Sequence, residues 1–281
     1  MTDSVRIVTD SACDLPQDIA DELGITIVPL TIRFGDEEFV DRRDLTPREF
    51  WARASRSQTL PETAAPAPGQ FEQVYRELAA DGATGIVVID LSAQLSATMQ
   101  SAELAARSVA DVVAVTLVDS RSVSLGLGVI VAETARFART GAGLDAVAAK
   151  ARELVERSRV WGALDTLENL KKGGRIGSAR ALLASALAIK PIIEVREGKV
   201  EPGGKQRTRS KALAFLVDKV DQQPVEHLHV MHADCDDVDQ FVEMLRQHHR
   251  GEIVVGDIGP VVGSHAGRGT IAVAYLLPTS D

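Results

Sequence analysis

Cysteine is scarce in this chain of 281 residues: Cys13 and Cys235 are too few for a disulfide framework and lack the spacing of a metal-ligand set. Both read as reduced thiols in structural positions. Long apolar runs are missing as well. No segment approaches about 18 consecutive apolar residues, and the opening MTDSVRIVTD lacks the basic-then-apolar layout of an export signal, so residence in the cytoplasm is expected. Basic charge is in deficit, and a formal net charge of −9 argues against sequence-independent nucleic-acid binding, which needs a cationic face. The familiar catalytic strings are absent too: there is no GxSxG elbow, no Walker sequence and no HExxH helix. GLGVIVAETA at Gly126 has two glycines but not the third of a dinucleotide fingerprint. His227 and His229 share one strand face by period two and His232 falls on the other, so no metal set is read there and no cofactor is expected.

What is present reads as a folded α/β chain. Its length favours two domains, taken as 1–159 and 160–281. In the first, strands at Val5–Thr9, Ile25–Phe34, Gly85–Ile89 and Val112–Val118 alternate with helices, among them Pro16–Leu23, Gly69–Ala80, Ala97–Ala110, Leu127–Arg139 and Leu144–Ser158. That rhythm predicts a parallel sheet flanked by helices, with ligands gathering at the carboxyl ends of its strands. Asp10 and Ser11, Ser92 to Ser96 and Asp119 to Ser122 would then share one rim. In the second, a strand at Val160–Leu164, helices at Leu167–Lys172 and Ser178–Leu187, and a hairpin about Gly198 precede helices at Ser210–Val220 and Val238–His249. Strands at Leu228–His232, Glu252–Ile258 and Thr270–Leu277 complete a predicted mixed or antiparallel sheet.

The most informative stretch is DIGPVVGSHAGRG, Asp257 to Gly269, in which His265 stands among four glycines. Glycines allow positive φ and close approach to a ligand, so the stretch reads either as a lined binding site or as a glycine-rich turn with an incidental imidazole. PETAAPAPG (Pro61–Gly69), LSAQLSATMQSA (Leu91–Ala102), VDSRSVSLGLG (Val118–Gly128) and NLKKGGRIGSAR (Asn169–Arg180) set hydroxyls or guanidinium groups beside Gly or Pro where strands should end. Ser92, Thr98 and Ser101 fit an ordinary helix start, and Asp10, Ser11 and Asp14 an Asx-turn. Lys171, Lys172, Arg175, Arg180, Lys205, Arg207, Arg209 and Lys211 concentrate positive charge in a chain that is acidic elsewhere; they form one face or two separate helix ends.

With VTDSACDLP (Val8–Pro16), LKKGGRI and IGPVVGSHAGRG in this order and spacing, the chain resembles the DegV family along essentially its whole length. Characterised members of that family include the fatty-acid-binding subunits of bacterial fatty acid kinase. The resemblance implies a two-domain fold with a lipid site at the interface, a long-chain fatty acid as ligand and a separate kinase catalytic subunit as partner. Phospholipid metabolism is the implied setting, with at most transient membrane contact. It further implies that Thr63, Ser96 and His265 hold the fatty-acid carboxylate and that Arg175 of the GGRI string lies near it. Ala64, Ala65 and Ala67 stand where the family is polar, and Arg268 stands where a proline is usual; Arg268 is read as a second head-group or partner-facing cation. The apolar segment Ala181–Ile189 is a candidate wall for the acyl chain or a core helix of the second domain. On this reading the chain is a carrier and the partner does the chemistry. The competing reading is a serine hydrolase with Ser96 as nucleophile and His265 as base, for which no sequence signature supplies an orienting acid or an oxyanion hole.

Overall fold

The computed structural model describes residues 4–57, 59–184 and 189–279. Val5–Asp10 forms β1, and a 3-10 turn, Ser11–Cys13, leads to helix α1 (Gln17–Leu23), which follows Pro16 and ends at Gly24 with φ 68°. β2 (Ile25–Val28) runs parallel to β1. The expected single strand Ile25–Phe34 is in fact two: Pro29 has no N–H to donate to a ladder, and beyond it β3 (Thr31–Phe34) joins a different sheet. There it pairs on one side with β4 (Glu37–Val40) and on the other with β5 (Glu62–Ala64), a three-residue strand too short to read from sequence. Between β4 and β5, α2 (Pro47–Ala54) opens with the capping box of Thr46 and Glu49.

The alternation then continues through α3 (Pro68–Ala80), β6 (Gly85–Asp90), α4 (Thr98–Ser108), β7 (Val115–Asp119), α5 (Leu125–Ala138) and α6 (Leu144–Arg157). All pairs in the sheet β2-β1-β6-β7 are parallel. Every residue of β6, GIVVID, is buried, as expected for a strand covered on both faces.

The second half contributes β8 (Ser158–Ala163), α7 (Glu168–Lys172), a 3-10 helix (Gly177–Ala184), β9 (Lys190–Arg196), β10 (Lys199–Gln206), α8 (Arg209–Asp221), β11 (Glu226–His232), α9 (Val238–Arg246), β12 (Ile253–Asp257), α10 (Pro260–Ala266) and β13 (Ile271–Leu276). Its six-stranded sheet has the order β10-β9-β8-β13-β11-β12, antiparallel except where β11 meets β12. The fold is α/β, with a helix-flanked parallel sheet followed by a mixed sheet, as the sequence pattern predicts. α5 joins the two: its apolar sequence LGLGVIVAETARFA is buried nearly all round, and it packs on β1 as well as on β8, β11 and β13. One apolar core therefore runs through both halves, from Ile7 and Ile130 to Met231 and Ala274.

Two expectations change here. The glycine-rich stretch before the last strand is no loop: Gly259 precedes Pro260 at the first helical position, and VVGSHA completes α10 before Gly267 (φ 82°) stops it. The segment Ser178–Leu187 is a 3-10 helix as far as Ala184; residues 185–187 lie outside the described residues, and with them much of the stretch proposed as a cavity wall. Among the described residues no helix is long and apolar enough to cross a membrane.

Candidate functional site

A cavity opens where the carboxyl ends of the parallel strands face β9, β10 and α10. Its empty space, counted out through the open mouth and into solvent, is about 830 Å3. Its wall is almost wholly apolar: Leu30, Leu91 and Val123 come from segments that leave the parallel sheet, and Ile193, Val195 and Val261 from the second half. The polar side chains on the lining are Thr63, Ser96, Arg175 and His265.

These four are contributed by four different segments. Thr63 is fixed by β5, where it stands opposite Ile32 of β3. His265 lies in the last turn of α10. Three contacts hold this helix. Gly263 lets it press against α2, since a Cβ there would come within 2.8 Å of the Trp51 ring; Asn169 of α7 donates to the Ser264 carbonyl at 3.2 Å; and Thr63 Oγ1 shares a 2.9 Å hydrogen bond with His265 Nε2. The other ring nitrogen, Nδ1, is sealed from solvent without a hydrogen-bond partner among the described residues. It lies over Gly173, where an added Cβ would come within 2.4 Å of it. Burial, with the nearby Arg175 charge as a second cause, pushes the imidazole down to about 4. At neutral pH the ring is therefore uncharged.

Arg175 is exposed and held by two carbonyls, donating to Leu95 at 3.0 Å and to Gly173 at 2.7 Å. It thereby bridges the His265 region and the loop that carries Ser96. Ser96 Oγ meets Thr98 Oγ1 at 2.9 Å and accepts from the Thr98 amide at 3.3 Å, so it also serves as a cap for α4. Thr63, Ser96, Arg175 and His265 are thus brought to one polar end of an otherwise oily cavity. Arg268 is not. It pairs with Asp234 at 2.7 Å on the outer surface and does not line the cavity.

The remaining rim residues have structural work. Ser92 is buried and donates to the Gly198 carbonyl at 2.7 Å, tying the rim to the β9–β10 turn. Asp119 accepts from the amides of Ala93 and Arg121, and Asp10 from those of Ala12 and Leu91. The cationic stretch Lys171–Lys211 is not one free face, since Arg209 is half-buried against Asp237 and donates to the Gly269 carbonyl. A hydrolase arrangement is not assembled: Ser96 bonds Thr98 rather than His265, and the imidazole nitrogen that an acid would orient faces Gly173. Sequence reasoning did not find the apolar lining, because Leu30, Leu91, Val123 and Ile193 lie far apart along the chain and each reads as ordinary core.

Fold and cavity together define a class: an α/β protein with a mostly apolar cavity that carries a few polar side chains and is lined from both halves of the chain. The sequence is more particular. The model of the DegV family, described as an uncharacterised protein family, matches residues 4–277, and the chain belongs to that family. A DegV domain-containing protein of Streptomyces coelicolor is 36% identical over 280 residues, covering 97% of this chain and 98% of the relative. One from Deinococcus radiodurans is 34% identical over 277 residues, covering 96% and 98%. Among solved structures, a DegV family protein from Thermus thermophilus described for its fatty acid binding superposes with a TM-score of 0.88 at 34% identity, covering 98% of this chain and all of that one. DegV of Bacillus subtilis, described as a fatty acid binding protein, superposes at 0.89 with 26% identity, covering 98% and 99%.

Proposed function

We propose that this chain binds a long-chain fatty acid and presents its carboxylate to a separate ATP-dependent fatty acid kinase in the cytoplasm. On this reading residues 1–159 and 160–281 act as two domains and the acyl chain lies in the cavity between them. The observation that carries it is the hydrogen-bonded pair Thr63–His265 closing one end of a cavity that is otherwise apolar. About 15 methylenes leaving water gain roughly 12 kcal/mol at about 0.8 kcal/mol each. Association costs of about 4–15 kcal/mol consume most of that gain, so the head group decides the balance. Buried without partners, a carboxylate is strongly disfavoured; the Thr63 and Ser96 hydroxyls and the His265 imidazole supply donors, and Arg175 supplies a positive charge at the mouth. The Thermus thermophilus and Bacillus subtilis relatives, both described for fatty acid binding, support the same ligand class.

The chemistry of phosphoryl transfer belongs to the partner on this reading, with the exposed Arg175 at the point of encounter. Native mass spectrometry of delipidated protein titrated with palmitate and oleate tests the binding step, with one ligand per chain expected. Uptake of neither acid refutes the proposal. Acyl phosphate formation on adding a fatty acid kinase catalytic subunit and ATP at saturating fatty acid, reduced in Arg175→Ala, tests the presentation step.

A further inference from the structure

Asp14 sits where the 3-10 turn after β1 ends, in the left-handed region at φ 51°. A non-glycine residue persists there only when its surroundings hold it. Its side chain reaches two helix starts distant in sequence. One carboxylate oxygen accepts a hydrogen bond from the hydroxyl of Ser124, the residue that begins α5 and itself has a positive φ of 56°. The other lies against the backbone of Gly259, the residue that begins α10, so closely that a Cβ there would come within 2.5 Å of it; the Gly259 amide is a hydrogen-bonding partner. The Ser124 amide in turn donates to the Ala12 carbonyl at 2.8 Å, and Gly128 of α5 passes so near the Cys13 carbonyl that a Cβ would come within 2.7 Å. One carboxylate thus ties the first strand's exit, the central helix and the helix that ends in His265.

We infer that Asp14 is a positioning residue for His265: it anchors the start of α10 to α5 and so sets where the imidazole stands relative to Thr63. The Asx-turn at this site is made by Asp10, which accepts from the Ala12 amide at 2.8 Å, and this leaves the Asp14 carboxylate for the longer-range tie. The binding arm of the test rests on the fatty-acid reading; the spectroscopic arm does not. His265 and His229 are both buried imidazoles pushed down to about 4, and His229 lies on β11, outside α10 and with no hydrogen bond to Asp14. His229 is therefore an internal reference.

In Asp14→Ala, NMR titration of the ring protons is expected to move His265 up toward the ordinary histidine value while His229 stays in place, and oleate binding is expected to weaken about tenfold, in line with loss of a buried hydrogen bond. Asp14→Asn keeps an acceptor for the Gly259 amide and is expected to restore both to within about threefold of wild type. Gly259→Ala, which crowds the same oxygen, should reproduce the Asp14→Ala pattern from the other side. If His265 keeps its wild-type titration in Asp14→Ala, or if both histidines shift together, the positioning role is refuted. Failure of the lipid reading is seen separately, as absence of oleate uptake by the wild-type protein.

Discussion

His265 Nδ1 is a buried polar atom with nothing to bond, in a protein whose other ring nitrogen at the same residue is well paired. Such an orphan costs about 1–3 kcal/mol of desolvation, and the close packing of the ring over Gly173 imposes that cost. Replacing Thr63 by Val keeps the shape of the side chain and removes the partner of Nε2. Fatty-acid affinity should then fall roughly tenfold, as measured by fluorescence displacement of a bound probe, and unchanged affinity would remove Thr63 from the head-group site. A second residue-scale feature is the carboxyl pair Asp10–Asp90 at the ends of β1 and β6. Both are fully buried; burial, reinforced at Asp90 by the neighbouring Asp10 charge, raises both, and neither Asp90 oxygen has a partner by geometry. A protonated Asp90 donating to Asp10 accounts for both facts. The native state then holds a proton that the unfolded chain releases above the ordinary value of 3.8, so this contribution is complete at low pH and declines as pH rises. Asp90→Asn supplies the donor permanently. Urea unfolding from pH 4 to 9 should show the variant gaining on wild type as pH rises, by at most about 1.4 kcal/mol per unit.

Among the elements, α10 is the one whose placement matters most. A helix of seven residues has little stability of its own, so its position comes from contacts: Trp51 of α2 against Gly263, Asn169 of α7 against the Ser264 carbonyl, and β5 through Thr63. Gly173 shows how tight the arrangement is, because it has an ordinary backbone (φ −74°) and no conformational need to be glycine. Its place is set by the imidazole lying 2.4 Å from where its Cβ would stand. Gly173→Ala should therefore leave α7 intact and displace His265, weakening oleate binding with a melting-temperature change of only a few degrees. A calorimetric scan beside a binding titration separates the two effects. α3 provides the contrast: Phe71 is fully buried against the parallel sheet and remote from the cavity, so Phe71→Ala is expected to cost about 3–5 kcal/mol in urea unfolding and to leave ligand affinity alone.

The whole molecule is joined by α5. The largest apolar cluster includes residues of the parallel sheet, of α5 and of β8, β11 and β13, so the two halves share a core, although each also has a smaller apolar cluster of its own. Unfolding in a single calorimetric transition is expected, and two resolved transitions would show that the halves come apart independently. A ligand filling the cavity contacts both halves and binds only the folded chain. At a free concentration a hundred times its dissociation constant it should add about 2.7 kcal/mol to stability, read as a rise in the melting temperature with palmitate but not with a short-chain acid.

Much of this was legible in the residues alone. Strand–helix alternation specified a parallel sheet in the first half, because buried β-branched runs such as GIVVID and amphipathic helices between them have few other ways to bury their apolar faces. The resemblance to the DegV family marked Thr63, Ser96, Arg175 and His265, all four of which line the cavity. Local chemistry also misled in identifiable ways: Pro29 split a strand, Gly259 and Pro260 began a helix where glycines suggested a loop, and Arg268 found Asp234 rather than the cavity. Short-range preferences act between neighbours, and so the sequence determined by itself which segments are helix or strand and which side chains stand at strand ends. Only the tertiary structure decided which of those ends face each other. The cavity wall, the Thr63–His265 bond across 202 residues and the reach of Asp14 to two helix starts are set by packing between segments whose order along the chain carries no trace of their contact.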